Sequence, residues 1–195
     1  MTSRAIDTLR SPLALMLFFG TTLTGLALDL WTKALAVDHL ASGHVARVLP
    51  GLLHFTYTEN RGAVFGMGQG QRWLFVAVSL AAIAFLTYLF ALSDGRRFYQ
   101  FLLGMLLAGV LGNMYDRVVY GYVRDMILAL PDWDWPEGIA RFLPARMPRQ
   151  VFPWVFNVAD SLLCMGVFLM IVYSFIHRPD EETGLQAQPD TDRQP

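Results

Sequence analysis

The chain has a single cysteine, Cys164, in 195 residues, which excludes an intramolecular disulfide and any cysteine-rich metal site. Its histidines, His39, His44, His54 and His177, stand at no ligand spacing such as His-Glu-x-x-His, so neither a metal nor another cofactor is expected. Net charge is −1, which gives no bulk attraction to nucleic acid, and no nucleic-acid partner is expected. Charge of either sign is scarce. Only 16% of residues are Asp, Glu, Lys or Arg, against 54% hydrophobic, and mean hydropathy is positive. Soluble domains carry about 25% charged residues, so this composition reads as an integral membrane protein.

A helix needs about 20 apolar residues to cross the hydrocarbon of a bilayer. Four runs qualify, and they predict spans over about 12–30, 72–92, 98–118 and 153–176. The first has Arg4 and Arg10 ahead of it but no small-x-small cleavage site leading into a soluble chain, so it is read as a span and not as a cleaved signal. Four spans with connections of modest length predict an all-α four-helix membrane bundle in one domain, residues 1–178. Between the first two spans, Leu53-His-Phe-Thr-Tyr-Thr58 alternates apolar and polar residues, and Val45 to Leu49 can pair with it across Pro50-Gly51. This predicts a small surface sheet over about 44–60. Residues 126–150, rich in Pro, Trp, acids and Arg, read as an interfacial loop, and the acidic Gln/Pro/Thr-rich tail 179–195 reads as disordered.

Two aspartates, Asp125 and Asp160, sit in or beside apolar runs where charge is costly. Counting spans brings both to one membrane face, together with Asp29, Lys33, Asn60, Gly62, Asn113, Asp116, Arg117 and Asn157. All five tryptophans fall on that side too, at the level where amphipathic rings prefer the headgroups. Two carboxylates a few ångströms apart split their pKa values, so one can take a proton from water while the protonated partner polarises a carbonyl. For either Asp alone, a water-contacting helix end is an even alternative. Asn113, Asp116 and Arg117, at i, i+3 and i+4, project from one side of the third span. Arg117 can hold a carbonyl or phosphate, or else close the bundle by pairing with Asp116 or Asp29. Asp29 and Lys33, at i and i+4, read as an architectural ion pair. Gly104, Ala108 and Gly112 form a small-residue row for a close helix contact. Cys164 reads as a small buried apolar residue, since no histidine stands where it could activate a thiol.

Basic residues are more numerous on the motif face, Arg47, Arg72, Arg141 and Arg149 among them, but several can belong to a site or to an exported segment. Charge alone leaves the orientation open. A proton or ion carrier competes as a reading, but it predicts polar groups throughout the bilayer depth. A purely structural subunit explains the small-residue row but not the one-sided Asp and Asn cluster.

Asp29-Leu-Trp-Thr-Lys33, Asn60-Arg-Gly-Ala-Val-Phe65, Gly112-Asn-Met-Tyr-Asp-Arg117, Gly121-Tyr-Val-Arg-Asp125 and Phe156-Asn-Val-Ala-Asp160, in that order over four spans, closely resemble the motif set of bacterial lipoprotein signal peptidase, the type II signal peptidase. The resemblance covers about residues 13–176. It implies an aspartic endopeptidase of the bacterial inner membrane that cuts a prolipoprotein just before its diacylglyceryl-modified cysteine. It implies Asp125 and Asp160 as the catalytic pair, Asn60, Asn113, Arg117 and Asn157 as groove residues, and Asp29, Lys33, Gly62 and Asp116 in support. It also implies a sheet on the extracytoplasmic surface, cytoplasmic termini, an active site at the outer face, membrane lipids as neighbours, a monomer and no cofactor. The chain departs from the family at Ala108-Gly109, where Gly-Gly is frequent, at Met126, where Phe is frequent, and in a longer segment between the two aspartates, expected to act as a lid.

Overall fold

The computed structural model describes residues 8–9, 11–62, 68–144 and 147–177. Ala63, Val64 and Phe65 of the Asn60 motif, and the tail expected to be disordered, lie outside them. Helix α1 (Pro12–Leu40) opens on the Ser11 cap, whose hydroxyl accepts from the Ala14 amide, and carries a π-helical stretch at Met16–Gly20. Strands β1 (Ala46–Leu49) and β2 (Leu53–Asn60) follow, then helices α2 (Arg72–Ala91) and α3 (Arg97–Val119), strand β3 (Val123–Ala129), the one-turn helix α4 (Glu137–Ala140), strand β4 (Val155–Phe156) and helix α5 (Val158–Ile176). The four long helices are each long and apolar enough to cross a membrane. The strands form one antiparallel sheet in the order β1-β2-β3-β4.

Helix α3 is the axle. It packs against α1, α2 and α5 and buries most of its length from Gln100 to Asp116. In lipid there is little hydrophobic drive between helices, so close approach of backbones must supply the contact. The small-residue row does this on the α1 side: Gly104 lies under the Phe18 carbonyl and Thr21, Ala108 meets Gly25, and Gly112 lies against the Asp29 carboxylate. Thr22 adds an interhelical bond, donating from Oγ1 to the Gly104 carbonyl at 3.2 Å. On the other side, a Cβ at Gly109 would stand 2.6 Å from the Ala159 carbonyl oxygen of α5. Toward α2, Phe18 and Phe90 stack with ring centroids 4.1 Å apart, within a cluster that includes Leu86, Leu103 and Leu107. The outward faces carry exposed Leu23, Val78, Phe85, Phe168 and Phe175, the inverted pattern that suits a lipid surround.

The first helix runs on from its expected end near residue 30 to Leu40. Its last turns are held because Ala36 and Leu40 pack under Phe55, Tyr57, Met126 and Ile127 of the sheet. Residues 126–129, expected to open an interfacial loop, belong to β3. This strand lies between β2 and β4 and begins with four buried residues, so it shows no apolar-polar alternation by which a sequence would betray it. Farther along, the stretches around Asp134 and Gln150 pair as a short antiparallel ribbon: the Trp135 amide donates to the Arg149 carbonyl at 2.9 Å, and the Val151 amide to the Trp133 carbonyl at 2.8 Å. Cys164 is exposed on α5 and not buried. The packed side of α5 is set by Ala159, Leu163 and Gly166, against Gly109 and Leu106, and Cys164 falls off that line.

The transition from α3 to the sheet needs a left-handed residue. Gly121 supplies it at φ +89°, with its amide donating to the Asp116 carbonyl at 3.2 Å. Arg72 at the start of α2 donates from Nη2 to the Val118 carbonyl at 2.6 Å, which satisfies an orphan carbonyl at the end of α3. Because the α3–α5 contact has no room at Gly109, Gly109→Leu is expected to lower stability by about 1–3 kcal/mol, the usual cost of overpacking. Gly138→Leu on α4, where a Cβ meets nothing within 4 Å, is the control. Thermal unfolding in detergent checks the pair.

Candidate active site

Four buried charges close the end of the bundle where α1, α3, α5 and the sheet meet. Lys33 Nζ lies 2.7 Å from Asp29 Oδ2 and 3.3 Å from Asp116 Oδ2, and all three side chains are fully buried. The Lys33–Asp29 contact is a charge pair without the alignment of a hydrogen bond. Asp116 also takes Arg124 of β3, whose Nη2 approaches Oδ1 at 2.7 Å while the Arg124 amide donates to Oδ2 at 2.9 Å. Asp29 Oδ1 accepts the Ala159 amide at 2.8 Å, one of the free donors at the start of α5. Two acids and two bases thus neutralise one another, as burial of charge demands. Each also ties two elements together.

The alternative closure of the bundle by an Asp116–Arg117 or Asp29–Arg117 pair is not what forms. Neighbours on a helix diverge by about 100°, and while Asp116 turns inward to Lys33 and Arg124, Arg117 turns along α3. Arg117 donates to the carbonyls of Asn113 at 3.3 Å and Gly62 at 3.1 Å, with its guanidinium 4.9 Å from the Phe75 ring centroid. It is half-buried.

Asp125 on β3 and Asp160 on the first turn of α5 are brought together by three asparagines. Asn157 caps α5: its Oδ1 accepts the Asp160 amide at 2.9 Å, and Asp160 Oδ2 accepts the Asn157 amide at 3.2 Å, a reciprocal capping box. With its oxygen committed to the cap, the Asn157 amide nitrogen must point the other way, and it donates to Asp125 Oδ1 at 2.6 Å and to Asn113 Oδ1 at 3.2 Å. Asn113 repeats the logic. Its oxygen faces Lys33 Nζ at 3.3 Å and Asn157, so its nitrogen donates to Asp160 Oδ1 at 2.8 Å. Asn60, at the end of β2, takes the Gly62 amide on its oxygen at 3.0 Å and gives its nitrogen to Asp125 Oδ2 at 3.0 Å.

Every carboxylate oxygen of the two aspartates therefore accepts one hydrogen bond from a donor whose orientation is fixed from behind. Asp125 is buried and Asp160 half-buried. Burial first, and the Asp160 charge second, push the Asp125 carboxyl up to about 7; its bonds from Asn60 and Asn157 and the charge of Lys33 hold it from going higher. One buried and one accessible carboxyl, bridged by amides, is an arrangement that can hold one proton and one negative charge at neutral pH.

All ten residues singled out from the sequence lie in this one network. Arg124 is the member that the sequence reading does not single out, although a cation beside Asp125 in an otherwise apolar tract is a usable signal. Its partner Asp116 lies eight residues away around the Gly121 turn, a pairing that spacing does not suggest.

A profile of the family described as "Signal peptidase (SPase) II" matches residues 21–176. A lipoprotein signal peptidase of Listeria monocytogenes is 32% identical over 162 residues, 83% of this chain and 94% of that protein. One of Geobacillus thermodenitrificans is 34% identical over 158 residues, 80% and 88% respectively. A bacterial membrane enzyme solved in meso at 2.3 Å superposes with a TM-score of 0.62 at 26% identity, covering 83% of this chain and 91% of that one. With that match running through every element of the site and four helices fit to cross a bilayer, the chain belongs to the signal peptidase II family and is a bacterial membrane protease.

Proposed function

We propose that the chain is an aspartic endopeptidase that removes signal peptides from diacylglyceryl-modified prolipoproteins, cutting before the lipidated cysteine. The observation that carries this is the bridge of Asn157 and Asn113 between Asp125 and Asp160, which sets two carboxyls against each other at the end of the bundle. Family membership supplies the substrate class. The elevated Asp125 keeps the proton of the pair, and Asp160 is the base. Asp160 takes a proton from water as its oxygen attacks the scissile carbonyl, while Asp125 donates its proton to the carbonyl oxygen. The tetrahedral diol collapses with cleavage of the C–N bond as Asp160 protonates the nitrogen of the leaving segment and Asp125 takes back a hydroxyl proton, which restores the starting protonation of the pair. No step needs a metal. With one proton on the pair, Arg117 balances the remaining negative charge, and its planar fork can take a substrate carbonyl or lipid phosphate.

A substrate held in the bilayer by its own signal peptide and acyl chains must be met at bilayer-edge depth. On this reading the site face, with the sheet, lies at the extracytoplasmic side of the inner membrane and both termini are cytoplasmic. The enzyme acts as a monomer. The carrier alternative finds little support, since α3 bears no polar side chain between Gln100 and Asn113.

Asp125→Asn and Asp160→Asn are each expected to fold normally and lose about 10²–10⁴-fold in turnover, the range of acid-base catalysis. A gel-shift cleavage assay on a diacylglyceryl prolipoprotein in detergent, with a chelator throughout, checks this; normal cutting by either variant sinks the two-aspartate mechanism. The pH profile follows from the direction of the shift. Activity needs Asp125 protonated, so kcat/KM is expected to fall as pH rises through about 7. Asn60→Ala removes a donor that favours the charged form, which raises the Asp125 pKa and moves this alkaline limb to higher pH. An unmoved or lowered limb contradicts the assignment of the proton to Asp125.

A further inference from the structure

The ribbon between β3 and β4 presents apolar side chains that neither the core nor the site uses. Phe142 is 77% exposed, Ile139 49% and Met147 45% at its tip, and Trp133 in its stem is 56% exposed. On the long helices such exposure is covered by acyl chains. These four residues stand outside every candidate span, and their grouping on one segment points to a surface that covers them.

We infer that the ribbon is a membrane-interface anchor, its tip seated in the headgroup layer of the same bilayer the helices cross. Three observations favour lipid as the occupant. The ribbon is rooted at the ends of spanning helices: its root is pinned by the Leu130 amide donating to the Leu52 carbonyl at 2.9 Å, beside the strands that pack on Ala36 and Leu40 of α1. Its return leg leaves the last ribbon bond at Val151 and enters α5 at Val158, so the stem lies within about 25 Å of a helix end even if that link is fully extended. For side chains so tethered, the nearest apolar phase is the bilayer already holding those helices. The tip also has the make-up of an interfacial segment, with Arg141 stacked 4.9 Å from the Phe142 ring centroid, an arrangement that lets the ring go in while the guanidinium stays with phosphates and water. In the sequence, acidic Asp132, Asp134 and Glu137 equal Arg141, Arg146 and Arg149 in number, so apolar contact drives the seating and zwitterionic lipid suffices.

The test needs no activity and does not rest on the two-aspartate reading. Because Cys164 is the only cysteine, a Cys164→Ala background carrying Phe142→Cys, and separately Ile139→Cys, can be labelled with an environment-sensitive dye and placed in phosphatidylcholine nanodiscs. Phe168→Cys on the exposed face of α5 gives the in-membrane reference. At both ribbon positions the expected result is blue-shifted emission, quenched by a spin label placed shallow in the acyl chain. Emission typical of water with no quenching at both positions overturns the inference. Shielding that appears only when a lipid-modified prolipoprotein is added overturns it too, and assigns the ribbon to substrate clamping.

Discussion

The buried contact of Lys33 with Asp29 and Asp116 is the constraint on which the rest of the molecule depends. Desolvating each of these ions costs several kcal/mol, and the cost is recovered only if every member stays in place with its partners. Here the partners come from different elements: Asp29 and Lys33 from α1, Asp116 from α3, Arg124 from β3 and the Ala159 amide from α5. The network therefore acts less as a source of net stability than as a lock on relative position. Gly112 belongs to it as fully as the charges do, because any side chain there would occupy the space of the Asp29 carboxylate.

The geometry of the two aspartates follows from that lock. Lys33 reaches Asn113 and determines which way its amide faces; the start of α5, fixed by Asp29, determines the same for Asn157 through the Asp160 cap. Amides are symmetric enough in shape to flip, and what prevents it is a donor placed behind each oxygen. The carboxyls thus sit among donors aimed in advance.

Around this polar end, the bundle is held by means suited to lipid. Small residues on both sides of α3 bring α1 and α5 to backbone contact, and large apolar side chains face outward. The sheet grows from the same end. Its β3 strand carries both Arg124 and Asp125 to the bundle, so the sheet and the long helices share one set of charges.

Much of this was legible in the chain itself. Long uncharged runs can only be spans, because a backbone in hydrocarbon must satisfy its own hydrogen bonds, and polar residues confined to the ends of those runs had to share a face. The β1–β2 hairpin announced itself by the alternation of Leu53 to Thr58 and the Pro50-Gly51 turn, although burial does not alternate along either strand. Strand β3 did not, because a central strand has neither an exposed edge nor a polar face to mark its period. The extension of α1 to Leu40 was hidden for a related reason: its last turns are stabilised by the sheet and not by apolar length. Sequence spacing placed Asn113, Asp116 and Arg117 on one side of a helix but could not divide them between an ion lock and a carboxylate site. Composition and order thus determined the class of protein and which polar residues gather at one end of the bundle. Who pairs with whom was decided only by the tertiary structure, because hydrogen-bond and charge partners are set by angles of a few tens of degrees and distances near 3 Å that sequence separation does not encode.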